Sequence, residues 1–160
     1  MSSNAREGQM FDGIMSTYVK THLEAFPWVQ FDFITQYRVT KVAILSGEEP
    51  LSNLDIRVGD SDLSSSVSGR NQGMSGNERC GKYFGHTLVE VDCGFIKGML
   101  GRYITLQLTE RFGSQHPFEI SELEIYGWGK ACKLTIFFLN ICHIFNRIHS
   151  AWKTQIRASA

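Results

Sequence analysis

Between residues 28 and 127 the chain alternates apolar and polar side chains with period two, the pattern of strands that bury one face. Val29, Phe31 and Phe33 alternate with Gln30 and Asp32, and Leu54, Ile56 and Val58 alternate with Asp55 and Arg57. Val89 and Val91 flank Glu90; Ile104, Leu106 and Leu108 alternate with Thr105 and Gln107; Leu123 and Ile125 close the set against Glu122 and Glu124. Residues 39–45 are more continuously apolar, which predicts a central strand. Each inward Val, Leu, Ile or Phe contributes roughly 1.5 to 3 kcal/mol when buried, so these runs alone supply a core. Gly59-Asp60-Ser61-Asp62 opens a Ser- and Gly-rich segment reaching Gly76-Asn77 with no periodicity. A loop of that length is expected to serve a function or to move.

The pattern therefore predicts an all-β fold, an antiparallel sandwich. Composition agrees: 160 residues with 42% hydrophobic and 12% aromatic content suit one domain with a real core. Sixteen basic residues balance sixteen acidic ones, so the chain offers no overall basic surface for nucleic acid. The balance is uneven, however. Residues 128–160 hold Lys130, Lys133, Arg147, Lys153 and Arg157 and no acid, about +5, which leaves about −5 on residues 1–127. A sandwich domain over 1–127 and a basic, partly apolar tail over 128–160 are thus expected.

Within the tail, Leu134-Thr135-Ile136-Phe137-Phe138-Leu139 and Ile141, Ile144 and Phe145 have helical spacing, but Asn140, His143, Asn146 and Arg147 interrupt it too soon for a bilayer span. A helix packed on the domain, or sequence joined to it by a faulty gene assignment, is the simpler reading; an amphipathic helix lying on a membrane surface is the alternative. At the other end, Met1-Ser2-Ser3-Asn4-Ala5-Arg6-Glu7 has neither apolar core nor cleavage site, which taken literally predicts a cytoplasmic protein. Cys80, Cys93, Cys132 and Cys142 are too few for a disulfide scaffold and lack zinc-ribbon spacing. Cys80 and Cys93 can close a short loop contributing about 3 kcal/mol if oxidised, or remain as two buried thiols.

Five motifs fall in a fixed order: Pro27-Trp28-Val29-Gln30-Phe31-Asp32-Phe33, Val39-Thr40-Lys41-Val42-Ala43-Ile44, Ile56-Arg57-Val58-Gly59, Gly101-Arg102-Tyr103-Ile104 and Ser121-Glu122-Leu123-Glu124-Ile125-Tyr126-Gly127. In order and spacing they resemble the F-type lectins, fucose-binding members of the discoidin-like superfamily. The resemblance implies a jelly-roll, galactose-binding-like β-sandwich. It also matches Ser3-Asn4-Ala5-Arg6-Glu7-Gly8 to a family segment that about a dozen residues normally precede, so a first strand and a signal peptide are expected to be missing and the protein to be secreted. Cys80 and Cys93 match the family's loop-closing disulfide.

The resemblance further implies one Ca²⁺ near an end of the sandwich. Carried over, its ligands are Asn4, Glu7, Gln9, a hydroxyl at Ser16 or Thr17, Ser121 and Glu122, all hard oxygen donors of the kind Ca²⁺ needs. Family sugar recognition uses a His, then an Arg-x-Asp loop and a further basic residue, cationic forks and an imidazole donating to sugar oxygens. Thr21-His22-Leu23-Glu24 places His22 at the sugar-binding His, but Leu45-Ser46-Gly47-Glu48-Glu49-Pro50-Leu51 replaces the Arg-x-Asp stretch with no cation. Fucosylated glycans are the implied partners, their recognition weakened or altered; a discoidin-like module for protein or membrane surfaces, and an inert product keeping only the fold, are the alternatives. No Ser, His and Asp set, paired carboxylates or phosphate loop is recognisable, and an enzyme is not expected. His86 and His116 read as surface residues, and Gly98, Gly101 and Gly113 as turn glycines.

Overall fold

The computed structural model describes residues 16–21, 27–48, 50–62, 77–85, 87–94, 97–109 and 119–129. The long segment within 63–76 and the tail from 130 onward lie outside them. Seven antiparallel strands are formed among the described residues: β1 (Val19–Lys20), β2 (Trp28–Ser46), β3 (Leu51–Gly59), β4 (Glu78–Gly85), β5 (Val89–Asp92), β6 (Met99–Leu108) and β7 (Glu119–Gly129). Their pairing follows the path β1-β7-β2-β6-β3-β4, with β5 added beside β2. The first half of β2 pairs with β6 (Phe31 opposite Ile104), and its second half lies between β7 (Val42 opposite Ile125) and β5 (Val42 opposite Val91). One strand thus serves both layers of an antiparallel β-sandwich, and residues 39–45 are central, as their apolar run predicts.

Every inward run named from the alternation meets in one core: Val29, Phe31 and Phe33, Leu54, Ile56 and Val58, Ile104, Leu106 and Leu108, Leu123 and Ile125. Val91 joins it, and Val89 packs against it. The outward sides differ from the period-two expectation, because Gln30, Asp55, Thr105 and Gln107 are buried too. Buried polar groups need partners, and Gln30 finds them: its Nε2 donates to Thr105 Oγ1 at 3.0 Å and to the Ser61 carbonyl at 3.1 Å. The Cys80–Cys93 disulfide ties β4 to the residue after β5, and so one layer to the other, with Cα atoms 4.6 Å apart.

The motif residues turn out to hold the sandwich together. Register between β2 and β6 shifts between Asp32 and Tyr37, where β2 leaves one layer for the other. At that corner Ile34 has φ of 66°, a left-handed conformation that a β-branched residue rarely adopts. Asp32 holds it there. Its Oδ1 accepts from the Ile34 N–H at 2.7 Å and from Arg102 Nε at 2.6 Å, while Oδ2 accepts from Arg102 Nη2 at 2.6 Å. The Arg102 hydrogen bonds hold the Asp32 carboxyl below its ordinary pKa. Gly101 is not a turn glycine but lies inside β6, since a Cβ there would stand 2.5 Å from the Gly59 nitrogen. Beyond Gly59, Asn77 clasps the mouth of the long loop: its Oδ1 accepts from the Ser61 N–H at 2.9 Å and its Nδ2 donates to the Ser61 carbonyl at 3.0 Å.

Because the folded pKa of Asp32 is depressed, its pair with Arg102 stabilises the fold above the unfolded carboxyl value, near pH 4, and that contribution fades as pH falls through the folded value. Asp32→Asn is therefore expected to lower the urea midpoint at pH 7, with the deficit shrinking below about pH 4. Equal midpoints for the two proteins at pH 7 would remove the pair from this role.

Candidate functional site

Several chain segments converge where β2 ends and β7 begins. Lys20 pairs with Glu119 and Val19 with Ile120, which seats the short β1 on the outer side of β7. Glu119 is buried and organises the surroundings: Oε1 accepts from Lys20 Nζ at 2.6 Å, Oε2 from the Glu48 N–H at 3.1 Å, and its backbone carbonyl from the Gly47 N–H at 3.0 Å. Gly47 has to be glycine, since a Cβ there would stand 2.5 Å from the Glu119 Cβ. The hydrogen bond to Glu119 raises the Lys20 pKa, so Lys20 stays a cation with half of its side chain exposed. The Ser46–Leu51 connection has no cation of its own, but the fold brings one to it from β1. Sequence spacing gave no sign of this, since Lys20 and Glu119 are 99 positions apart.

The same end carries the β4–β5 turn. Fully buried Tyr83 reaches it with its hydroxyl, which accepts from the Ser46 N–H at 3.3 Å and donates to the Thr87 carbonyl at 2.9 Å. Leu51 opposite Gly85 closes the arrangement. Phe84 and Leu88, beside this turn, are large apolar side chains left half exposed. Nearby, Asn53 adopts φ of 54°, and its carbonyl accepts both the Thr109 N–H at 3.1 Å and the Thr109 Oγ1 at 2.9 Å. This end of the sandwich therefore offers a fixed cation, a buried carboxylate, ordered backbone and apolar side chains, the elements of a site for polar ligands with apolar faces.

Of the expected calcium ligands, Ser16, Ser121 and Glu122 are described, while Asn4, Glu7 and Gln9 lie outside the described residues, as does His22. Ser121 and Glu122 are both buried although consecutive in a strand. The cause is a register shift: Leu45 opposes Glu122 but Ser46 opposes Ile120, which leaves Ser121 as the extra residue of a bulge. Ser16 is exposed, and continuing the β1–β7 register brings the neighbouring Thr17 level with Glu122. Burying a carboxylate as deeply as Glu122 is costly unless its charge is compensated, and Ser121 beside it in β7 and Thr17 level with it are both oxygen-bearing residues. No group of three or more His, Cys, Asp or Glu side chains placed to hold a metal ion occurs among the described residues. Within the same residues no helix is long and apolar enough to cross a membrane.

No protein-family model matches the chain, and no curated protein matches it. Solved structures do. A fucolectin from striped bass serum superposes with a TM-score of 0.59 at 23% identity, over 76% of this chain and 41% of that one, so the chain spans less than half of the fish protein. A fucose-binding module from Streptococcus pneumoniae gives a TM-score of 0.53 at 17% identity, over 78% of this chain and 87% of that one. A chitosan-binding module from a Paenibacillus chitosanase/glucanase gives 0.55 at 17%, over 79% and 88%. The chain has the discoidin-like fold of the F-type lectins.

Gly47→Ala is expected to cost about 1 to 3 kcal/mol in urea unfolding, because the added methyl group has nowhere to go against Glu119. Lys20→Met is expected to cost less than about 1 kcal/mol, since its partnership is half exposed. A Gly47→Ala protein as stable as the native one would contradict the close contact.

Proposed function

We propose that this chain is a carbohydrate-binding module that takes a neutral sugar of the fucose class at the loop end of its sandwich and holds a structural Ca²⁺ beside β7. The observation that supports this reading is that the same sandwich, over most of its length, forms modules named for binding fucose and chitosan. The local chemistry is consistent with it. Lys20, held as a cation by Glu119, stands where the Ser46–Leu51 connection lacks one, and His22 follows two residues later. Fixed donors and a half-exposed apolar neighbour are what a sugar's hydroxyls and ring face require. Ser121, Glu122 and Thr17 would hold the cation, with Ser16, Asn4, Glu7 and Gln9 as the further donors that the sequence offers. Such an ion would neutralise the buried carboxylate and brace the loop end; binding, not catalysis, is the role. A layer-bridging disulfide accords with a secreted protein.

Half-exposed Phe84 and Leu88 favour a second reading, an interaction module that docks on a protein or membrane surface through the β4–β5 turn. A glycan array run with and without Ca²⁺ separates the two. Binding to fucosylated glycans that weakens with chelator is expected, and a folded protein that binds no glycan but sediments with liposomes would replace the first reading by the second. Ca²⁺ is also expected to raise Tm, because it binds the folded state alone. Glu122→Gln should abolish that rise, and an undiminished rise in the variant would take Glu122 out of the ligand set.

A further inference from the structure

The outward side of β3 and β4 gathers three cations around one carboxylate. Asp55 is buried, and its Oδ2 accepts from Arg57 Nη2 at 3.2 Å, while Arg57 Nη1 donates to the Asn77 carbonyl at 3.0 Å. Those bonds engage Asp55 Oδ2 and both terminal nitrogens of Arg57 within the fold, and leave Asp55 Oδ1 with no hydrogen-bond donor. Arg79 Nη1 and Lys82 Nζ stand 4.0 and 3.8 Å from Asp55 Oδ1, too far to hydrogen-bond but close enough to be held by its charge. Lys82 is also steered by Asn53, whose Oδ1 accepts from its Nζ at 3.3 Å. Strand pairing sets the arrangement, with Asp55 opposite Lys82 and Arg57 opposite Arg79, and the β6 residues alongside, Gln107 and Thr105, are neutral.

Three positive charges against one negative leave this face with a surplus of two. The surplus resides on Arg79 and Lys82, whose side chains are 54% and 35% exposed. Isolated charges on an edge strand serve to block pairing with other chains, but that purpose does not need a buried counter-ion to orient them. Here both nitrogens approach the same oxygen, so one oxyanion on the solvent side can bridge them by charge-assisted hydrogen bonds, with the guanidinium supplying a planar fork. Alternation along β4 puts Phe84 on the side opposite buried Tyr83, the side of Lys82, and leaves its ring half exposed.

We propose that the β3–β4 face binds an anionic sugar, its sulfate or carboxylate oxygens seated between Arg79 and Lys82 and its ring against Phe84. The proposal rests on the carbohydrate reading and shares the half-exposed Phe84 with the loop end, but Arg79 and Lys82 belong to neither the loop-end sugar site nor the calcium site. Its test is a binding titration of the whole chain with chondroitin sulfate, with hyaluronan, which carries carboxylates and no sulfate, and with a neutral glucan. Binding to chondroitin sulfate alone assigns the site to sulfate, and binding to both polyanions assigns it to either anion; both should weaken with salt. Arg79→Gln with Lys82→Gln is expected to reduce the affinity about tenfold for each cation removed while leaving the glycan-array profile of the folded protein for neutral sugars unchanged. Phe84→Ala is expected to weaken binding without altering its salt dependence. No preference for either polyanion over the neutral glucan, or an unchanged affinity in the double variant, would overturn the proposal. A failure of neutral-glycan binding with this response intact would instead count against the loop-end site alone.

Discussion

Asp32 holds together a corner on which both sheets depend. Its carboxylate receives the two-pronged guanidinium of Arg102 and, with the same Oδ1, the backbone N–H of Ile34. The ion pair fastens β2 to β6, and the backbone bond supports the unfavourable left-handed conformation at which β2 turns toward β7 and β5. A strand shared by two layers must bend while keeping partners on either side of the bend. The corner does this with a local irregularity between Asp32 and Tyr37, after which the pairing with β6 resumes three residues out of step.

This explains what the lectin-like motifs report. Asp32 and Arg102 belong to two of them, and Gly59 and Gly101 close a third contact where two backbones pass too near for any side chain. These residue types are demanded by the scaffold, so their presence speaks for the sandwich and is silent about the ligand. The connection from Ser46 to Leu51 carries no such burden apart from Gly47, and it is there that the sequence departs from the F-type lectin motifs it otherwise resembles. Fold and recognition are written in different residues.

The strands and their inward faces were legible in the sequence because alternation reflects a local property, the pleat, read one residue at a time. Features made by residues distant in sequence were not legible. Lys20 meets Glu119 only after β1 docks on β7, and Arg57, Arg79 and Lys82 surround Asp55 only through the β3–β4 register. Burial of Ser121 together with Glu122 breaks the period-two rule because a bulge adds a residue, and nothing in Ser121-Glu122-Leu123 announces one. The outward Gln30 and Thr105 likewise read as solvent-facing, since periodicity tells which face a residue is on and not whether that face is covered. Of the site inferred by resemblance, Ser121 and Glu122 lie near the start of β7, while Asn4, Glu7, Gln9 and His22 lie outside the described residues.

The clasp that Asn77 makes on Ser61 bears on how such a domain can change over generations. With two hydrogen bonds across the base of the connection and Arg57 fastened to the Asn77 carbonyl, the sheet is told where β3 ends and β4 begins without reference to what lies between. Lengthening a closed loop adds only about 0.6 kcal/mol for each doubling. The clasp thus lets the connection between β3 and β4 change in length while the strands on either side keep their partners.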